Sequence, residues 1–273
     1  MAGNLPGRQS AGLEQHPLIT VSLVAINQRH HLEVLLPTLM AALRGLPSEI
    51  LLVDNRSTDG TEKFIRREYQ QVAVFHHKKR FGYGENHNLN LMRAQGKYLV
   101  MMNCDMSVEP DTVSSMLSFM DNHPEIGILC PRVLNSNGTD QFLNKRYPNL
   151  LDLFLRRLNS PILRRAFRRR LERYETRDRG YEEVRDVESA SGCFMFCRTD
   201  LLQKLSGFDP TFFLYFEDAD LCRRVQMTHR TVYFPHARVY HDWQRASHRR
   251  LYFTWLFLRS GWRYFRKWGW KIC

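Results

Sequence analysis

The segment that decides the fold reads ILLVDNRSTDG and covers residues 50–60. The apolar run Ile50–Val53 predicts a buried strand, and the polar pair Asp54-Asn55 comes directly after it. Residues 58–62 (TDGTE) then predict the start of a helix with a capping residue. A buried strand that leads through a polar turn into a helix is the repeating unit of a parallel sheet.

The same unit recurs on both sides of this segment. Leucines from Leu32 to Leu43 follow helical spacing, and the helix Glu109–Asn122 opens on Pro110. The other predicted strands of this half are Ile19–Ile26, Val72–Phe75 and Tyr98–Met102. We therefore expect an α/β fold with a mixed, mainly parallel sheet flanked by helices. Ligands of such a sheet bind beyond the carboxyl ends of its strands.

The second half of the chain is less regular. Residues 187–197 form a strand-like run around Gly192, and Asp218–Met227 predicts a helix followed by the strand Thr231–Phe234. Residues 150–175 form a basic amphipathic stretch, which predicts a helical insert. The basic aromatic tail predicts a C-terminal helix.

The charge is distributed unevenly. The 273 residues carry a net charge of +12, with 40 Lys and Arg against 28 Asp and Glu. Residues 145–185 hold +7 and residues 238–273 hold +8, which leaves about −3 for the rest. A slightly acidic body therefore carries two basic attachments, and such attachments suit a polyanionic partner.

Several classes of protein are disfavoured. The polar N-terminus predicts no signal peptide, and the apolar run 251–258 is far shorter than the ~20 residues of a spanning helix. Six scattered cysteines without a C-x-x-C pair predict neither a zinc site nor a disulfide framework. Buried reduced thiols of a cytosolic protein are the better interpretation.

Two polar groups in the first half are candidates for a nucleotide site. Asp54 can accept a hydrogen bond from a nucleotide, although a helix-capping turn explains residues 54–60 as well. In the segment FGYGENHN (81–88), the glycines would allow a ligand to approach the backbone, and Asn86 offers hydrogen bonds. His87 breaks the G-x-G-x-x-G pattern, so a dinucleotide fingerprint is not met, and an ordinary loop is the alternative.

Three acidic or histidine groups are candidates for catalysis. Asp105 follows a buried strand, where a carboxylate can hold a divalent cation or simply close a turn. Glu217, Asp218 and Asp220 repel one another unless a cation or a proton lies among them, although a helix N-terminus also favours acids. His241 is either a metal ligand or an ordinary histidine.

Taken together, these groups resemble one family. They occur in the order Asn27, D-N-x-S-x-D-G (54–60), Gly82/Asn86, N-x-D (103–105), Gly192, G-F-D (207–209), E-D-x-D (217–220) and His241. This order is similar to that of family 2 glycosyltransferases of the GT-A fold, in the rhamnosyltransferase-like branch. The resemblance covers residues 18–245, and N-x-D replaces the common D-x-D.

The resemblance implies a role for each group. Asp218 would be the catalytic base, and Glu217 or Asp220 would orient it or contact the acceptor. Asp105 and His241 would bind Mg²⁺ or Mn²⁺ with the diphosphate of the donor. The donor-nucleotide set would be Asn27, Asp54, Asn55, Ser57, Asp59, Gly82, Gly84, Asn86 and Asn103. The acceptor set would be Gly192, Cys193, Phe194 and Trp243.

The resemblance also implies an organisation and a reaction. After a polar extension (1–17), a catalytic domain (18–245) would combine a nucleotide half (18–105) with an acceptor half (106–245) that contains the basic insert (about 150–180). The enzyme would invert the anomeric centre, and dTDP-rhamnose is the favoured donor. A lipid-linked, polyprenyl-diphosphate acceptor or a polysaccharide would serve cell-surface glycan biosynthesis. The alternatives are a UDP-sugar enzyme, a nucleotidyltransferase of similar fold, and a non-catalytic basic protein on the same scaffold that binds membranes or nucleic acid.

The basic attachments, residues 150–173 and 249–273, suit an anionic membrane. Four of the five tryptophans lie in the tail 246–273, and Trp and Tyr favour the membrane–water interface. Nucleic acid is the rival partner, but the chain has no nucleic-acid fold motif. A packed helix with a solvated basic face is the third interpretation. We expect a peripheral protein on the cytoplasmic face of the inner membrane.

Overall fold

The computed structural model describes residues 16–77, 79–157, 161–242 and 251–272. The strands are β1 (Ile19–Ala25), β2 (Ser48–Asp54), β3 (Val72–His76), β4 (Tyr98–Met102), β5 (Met106–Val108), β6 (Ile126–Leu134), β7 (Arg185–Asp186), β8 (Phe194–Arg198) and β9 (Arg230–His241). The helices are α1 (Arg29–Ala42), α2 (Thr61–Glu68), α3 (Tyr83–Leu91), α4 (Thr112–Asn122), α5 (Leu150–Arg157), α6 (Pro161–Ala166), α7 (Arg168–Tyr174), α8 (Thr199–Lys204), α9 (Glu217–Val225) and α10 (Leu251–Trp268), with a 3₁₀ turn at Arg177–Arg179.

The described strands form one mixed sheet in the order β3-β2-β1-β4-β8-β6-β9-β5, and β7 pairs with β9. The first four strands of this order run parallel, as β6 and β9 do, whereas β8, β5 and β7 pair antiparallel with their neighbours. The carboxyl ends of β1, β2 and β4 therefore meet at one edge of the sheet. This architecture confirms the predicted α/β fold.

The sheet is buried on both faces, which explains its nearly continuous apolar strands. In β4, Tyr98, Val100 and Met102 pack with α1 and α4 on one side, and Leu99 and Met101 pack with α8 and α9 on the other. Successive side chains of a strand point to opposite faces, so a single five-residue strand contributes to both cores. Five of the cysteines, those before residue 273, are free and buried, as expected for reduced thiols.

Some elements differ from the sequence predictions. The segment 83–91, predicted as a loop, is helix α3, and β5 and β6 were not predicted. The run 187–197 is extended only from Phe194, because the chain turns at residues 192–193. Strand β9 extends seven residues beyond Phe234, since its pairing with β6 continues past a register shift.

The two basic attachments contact each other. The backbone N–H groups of Leu150 and Leu151 donate to the carbonyls of Lys271 and Ile272, and the Arg157 side chain donates to Thr254. Helix α10 also packs on the domain, where Tyr264 and Phe265 form a small core with Phe212, Phe216 and Ala219. Helix α10 is therefore part of the folded body. None of the described helices combines the length and apolar character needed to cross a bilayer.

Candidate active site

The turns after β1 and β2 are joined by short hydrogen bonds. The Asn27 side-chain oxygen accepts from the Thr58 N–H at 2.7 Å, and the Asn27 N–H donates to the Ser57 hydroxyl at 2.9 Å. The buried Asp54 accepts from the Ser57 N–H at 2.7 Å, and Asp59 accepts from the Arg29 N–H at 3.0 Å. The structure thus brings Asn27, Asp54, Ser57 and Asp59 together at the edge where such sheets bind ligands.

A positively charged cleft lies beside these turns. Arg56, Ser57, Thr58 and Arg80 line a space of about 490 Å³. Arg56 has a positive φ of 69°, which is uncommon for a residue with a side chain and holds the turn in a defined shape. Two exposed guanidinium groups at a strand-end cleft suit an anionic ligand such as a nucleotide diphosphate.

Asn55, Gly82 and Gly84 are packed inside the fold. This corrects our interpretation that the glycines allow a ligand to approach the backbone. Asn55 is buried, and its side chain binds both the N–H and the carbonyl of Phe81. A Cβ at position 82 or 84 would overlap the backbone of Phe213 or the ring of Phe208, respectively. These glycines allow α3 to approach the 208–213 segment closely, and they are not open to a ligand.

Asn86 is also buried within this packing. Its side-chain N–H₂ donates to the Gly82 carbonyl at 2.7 Å, and its side-chain oxygen has no hydrogen-bond partner in the described structure. Asn86 is 1% exposed, so a direct contact with a nucleotide would need this packing to open.

Asp105 and His241 lie next to each other, although 136 positions separate them in the chain. Antiparallel pairing of β5 with β9 places Met106 opposite His241 and sets the His241 Nε2 atom 3.2 Å from Asp105 Oδ1. Gln141 holds the other ring nitrogen of His241 at 2.9 Å and donates to the His241 carbonyl at 2.7 Å. The imidazole therefore has a fixed orientation towards Asp105.

These two side chains fit a divalent cation. His241 Nε2 is buried and has no aligned hydrogen-bond partner in the described structure, although Asp105 Oδ1 is close. His31 Nε2 likewise has no hydrogen bond in the described structure, although Asp242 Oδ2 lies 3.8 Å away. Burial, followed by the nearby His30, lowers the pKa of His31. Among the described residues, no three His, Cys, Asp or Glu side chains surround one point. The chain therefore offers a partial ligand set that diphosphate oxygens would complete.

Asp218 lies at the start of α9, after two residues with unusual backbone angles. Tyr215 and Phe216 have φ values of 72° and 69°, a conformation that costs about 1–3 kcal/mol per residue and clusters at functional sites. Asp218 Oδ2 accepts from the Gly192 N–H at 3.3 Å, and Oδ1 accepts from the Ala219 N–H at 2.8 Å. Two backbone contacts thus orient the carboxylate.

The two neighbouring acids differ from Asp218. Glu217 is 6% exposed, and burial, reinforced by the negative charge of Asp218, raises the pKa of Glu217 well above its usual range. Asp220 is fully buried, and its oxygens lie 2.8 Å from Arg224 and 2.7 Å from Lys267. The carboxylate of Asp220 therefore faces Arg224 and α10. It is not available to contact an acceptor.

The turn at residues 192–193 connects the two groups of acids. The Gly192 N–H donates to Asp218, and the Gly192 carbonyl accepts from the Tyr83 hydroxyl at 2.5 Å. The Cys193 carbonyl accepts from the Asn103 N–H at 2.9 Å. Burial raises the pKa of the Cys193 thiol to about 12, and both Asp105 and Asp218 contribute to this rise. The turn therefore contacts Asp218 on one side and Asn103, two positions before Asp105, on the other.

The acceptor set needs one correction. Phe194 is 1% exposed and belongs to the apolar core, because the first residue of β8 points into the sheet packing. Its side chain is therefore not available to an acceptor. Trp243 lies outside the described residues.

Four residues of this region were not predicted. Arg80 and Gln141 come near the site only through long-range contacts, and nothing in their local sequence marks them. Tyr83 lies inside the segment 81–88 that marked Asn86. Arg56 lies inside the motif that marked Asp54, so the motif itself contained that signal.

Comparison with known proteins identifies relatives of this chain. Residues 20–206 match the sequence profile of Glycosyl transferase family 2. The N-acetylglucosaminyl-diphospho-decaprenol L-rhamnosyltransferase of Mycobacterium tuberculosis is 26% identical over 241 residues, which cover 82% of this chain and 76% of that protein. The Escherichia coli rhamnosyltransferase WbbL is 23% identical, with 67% and 70% covered.

A solved structure confirms the fold. The mannosyltransferase PcManGT of Pyrobaculum calidifontis, solved with GDP-Man and Mn²⁺, superposes with a TM-score of 0.58 at 18% identity. The match covers 85% of this chain and spans 59% of the PcManGT chain. With a family match over more than half of its length, the chain belongs to glycosyl transferase family 2.

Proposed function

We propose that this protein is an inverting, divalent-cation-dependent glycosyltransferase that moves rhamnose from dTDP-rhamnose to a polyprenyl-diphosphate-linked acceptor in cell-surface glycan synthesis. One observation carries the proposal: the 192–193 turn hydrogen-bonds to Asp218 on one side and, on the other, to Asn103, two positions before the Asp105 that pairs with His241. A base and a cation ligand set joined in this way are what displacement of a diphosphate by a hydroxyl requires.

On the donor side, the chain binds the nucleotide diphosphate and positions it. The turns of Asn27, Asp54 and Ser57 offer hydrogen-bonding groups for a nucleoside, and Arg56 and Arg80 attract phosphate. Asp105 and His241 would hold Mg²⁺ or Mn²⁺. Such a cation stabilises the negative charge that develops on a diphosphate leaving group.

On the acceptor side, Asp218 takes the proton from the attacking hydroxyl. Gly192 and Ala219 hold its carboxylate in place, so the base is oriented before the acceptor arrives. A single displacement by this hydroxyl, on the face opposite the leaving group, inverts the anomeric centre.

The two curated relatives support the choice of substrates. Both are rhamnosyltransferases by name, and the name of the mycobacterial relative specifies a sugar joined through a diphosphate to a decaprenol lipid. An acceptor of this kind is anionic and anchored in a membrane, which suits a protein with basic surface segments.

A thermal-shift comparison of dTDP-rhamnose, UDP-GlcNAc and GDP-mannose, each with and without Mn²⁺, tests the donor. At 100 times its Kd, a ligand adds about 2.7 kcal/mol to the free energy of unfolding. We therefore expect dTDP-rhamnose with Mn²⁺ to raise Tm by about 5–10 °C. Asp105→Asn should remove the Mn²⁺-dependent part of this shift.

Other outcomes would contradict parts of the proposal. A shift with UDP-GlcNAc alone would overturn dTDP-rhamnose as donor and favour a UDP-sugar enzyme. No shift with any nucleotide sugar would overturn the catalytic function and favour a binding protein on this scaffold.

The proposed membrane contact is one face of α10. Leu251, Trp255, Leu258 and Trp262 follow helical spacing, and each is at least half exposed. Arg259 and Arg266 each lie 5.2 Å from a tryptophan ring of this face. Exposed Trp and Leu with flanking Arg suit the interface of an anionic bilayer, so we place the protein at the cytoplasmic face of the inner membrane.

Substitution of both exposed tryptophans tests this contact. We expect Trp255→Ser/Trp262→Ser to lower co-sedimentation with phosphatidylglycerol/phosphatidylcholine vesicles by about tenfold or more, because two interfacial anchors are lost. Met92→Ser, which replaces another exposed apolar side chain (78%), is the control. Deletion of the tail is not suitable, because α10 is part of the folded body. Equal binding by the double variant and the wild type would contradict the proposal.

A further inference from the structure

Lys145 is a positively charged side chain that the proposed mechanism does not use. Its backbone pairs with Ser189 through hydrogen bonds of 2.9 and 3.0 Å, three positions before Gly192, which binds Asp218. The pairing therefore attaches Lys145 to the strip of chain that carries the 192–193 turn.

Lys145 lacks a partner of opposite charge. In the described part of the chain, its ammonium group has neither a hydrogen-bond acceptor nor an ion-pair carboxylate. Burial and the neighbouring Arg156 guanidinium lower the pKa of Lys145 to about 8, and the carboxylates of Asp218 and Glu175 partly offset this effect. The Lys145 residue is half-buried and so remains open to a ligand, which could supply the missing negative charge.

Arg156 adds a second cation on the same side. It lies 3.5 Å from Glu175 and 5.6 Å from the centre of the Tyr174 ring, and Tyr174 is 3% exposed. Burial raises the pKa of Tyr174 to about 12; Arg156 opposes this rise and Asp218 adds to it. The N–H of Arg146, next to Lys145, donates to the Tyr174 carbonyl at 2.9 Å. Backbone hydrogen bonds therefore connect Lys145 both to Tyr174, which Arg156 covers, and to Ser189 in the strip that binds Asp218.

We propose that Lys145, supported by Arg156, binds the phosphate group of the acceptor beside the base Asp218. The inference rests on the proposed function, and it assigns to the basic insert a part in substrate selection. An acceptor whose hydroxyl reaches Asp218 would place its diphosphate one sugar ring away. A lysine contacts a phosphate as a point charge, and an arginine can do so with two hydrogen bonds.

A comparison of charged and neutral acceptors tests the subsite. The probes are N-acetylglucosamine joined by a diphosphate to a short prenyl chain, and the octyl glycoside of the same sugar. We expect Lys145→Gln to lower the ratio of kcat/KM between the charged and the neutral acceptor by about tenfold or more, since one charge-assisted contact is lost. Lys145→Arg should restore most of the ratio. Lys204→Gln, at an exposed lysine paired with Asp200, is the control.

The same comparison identifies the source of the phosphate. A rise in the KM of dTDP-rhamnose, with an unchanged acceptor ratio, would mean that Lys145 contacts the donor diphosphate and would overturn the proposal. Equal losses on both acceptors would overturn it too, because a structural role affects both alike.

Calorimetric binding of the diphosphate probe separates this inference from the proposed function. A wild type that binds the probe more tightly than Lys145→Gln, but transfers no sugar, would contradict the proposed function and support the subsite. A wild type that does not bind the probe would overturn the subsite.

Discussion

Replacement of Asp218 by Asn should abolish nearly all sugar transfer while leaving donor binding intact. Loss of a general base lowers kcat by about 10²–10⁴-fold. The Asn side chain has almost the same shape, and its single oxygen can keep only one of the contacts with Gly192 and Ala219. Steady-state kinetics, with donor affinity measured by calorimetry, check this expectation.

Glu217→Gln is the matched control for this experiment. Because burial and the negative charge of Asp218 raise the pKa of Glu217, its carboxyl group holds a proton more readily than an exposed glutamate does, and an amide is a close neutral substitute. We therefore expect a much smaller loss of kcat than for Asp218→Asn. Retained turnover in a folded Asp218→Asn variant would contradict its role as base. A larger loss in Glu217→Gln would transfer that role to Glu217.

Replacement of Asp220 by Ala should cause the largest loss of stability among the substitutions considered. Asp220 is fully buried, and its carboxylate contacts Arg224, Lys267 and the Trp268 indole N–H at 2.7–2.9 Å. Removal of one partner from a buried ion pair costs about 3–5 kcal/mol. For a chain of this size, Tm should fall by roughly 10 °C. Thermal unfolding monitored by circular dichroism measures the change.

An exposed ion pair of the same spacing is the control. Asp200 pairs with Lys204 four positions later, as Asp220 pairs with Arg224, but its side chain is 68% exposed. We expect Asp200→Ala to change the free energy of unfolding by less than about 1 kcal/mol. If both variants lost equally little stability, the Asp220 network would not anchor α10 to α9.

The Asp220 network also connects α10 with α9, the helix that carries the proposed base. Lys267 and Trp268 of α10 contact Asp220, which lies two positions after the proposed base in α9. Loss of these contacts should therefore lower kcat along with stability. The tail acts both as a support for α9 and, through its outer face, as the proposed membrane contact.

The sequence alone determined the parallel half of the fold and most of the strand-end residues. Strands β1 to β4 are short apolar runs ended by polar residues, so local pattern was sufficient to place Asn27, Asp54 and Asp105. The acidic cluster at residues 217–220 was visible for the same reason, since three acids within four residues are unusual.

Only the tertiary structure decided what these residues contact. The packing of α3 against residues 208–213 turned the glycines at 82 and 84 into contact points between segments. The antiparallel pairing of β5 with β9 placed His241 beside Asp105. Lys267 of α10 pairs with Asp220, so this carboxylate is not available to a ligand. Pairings between distant segments depend on which surfaces are buried together, and local periodicity holds no information about the partner. For this protein, the sequence therefore determined which groups could carry the chemistry, and long-range packing determined which of them remain free to do so.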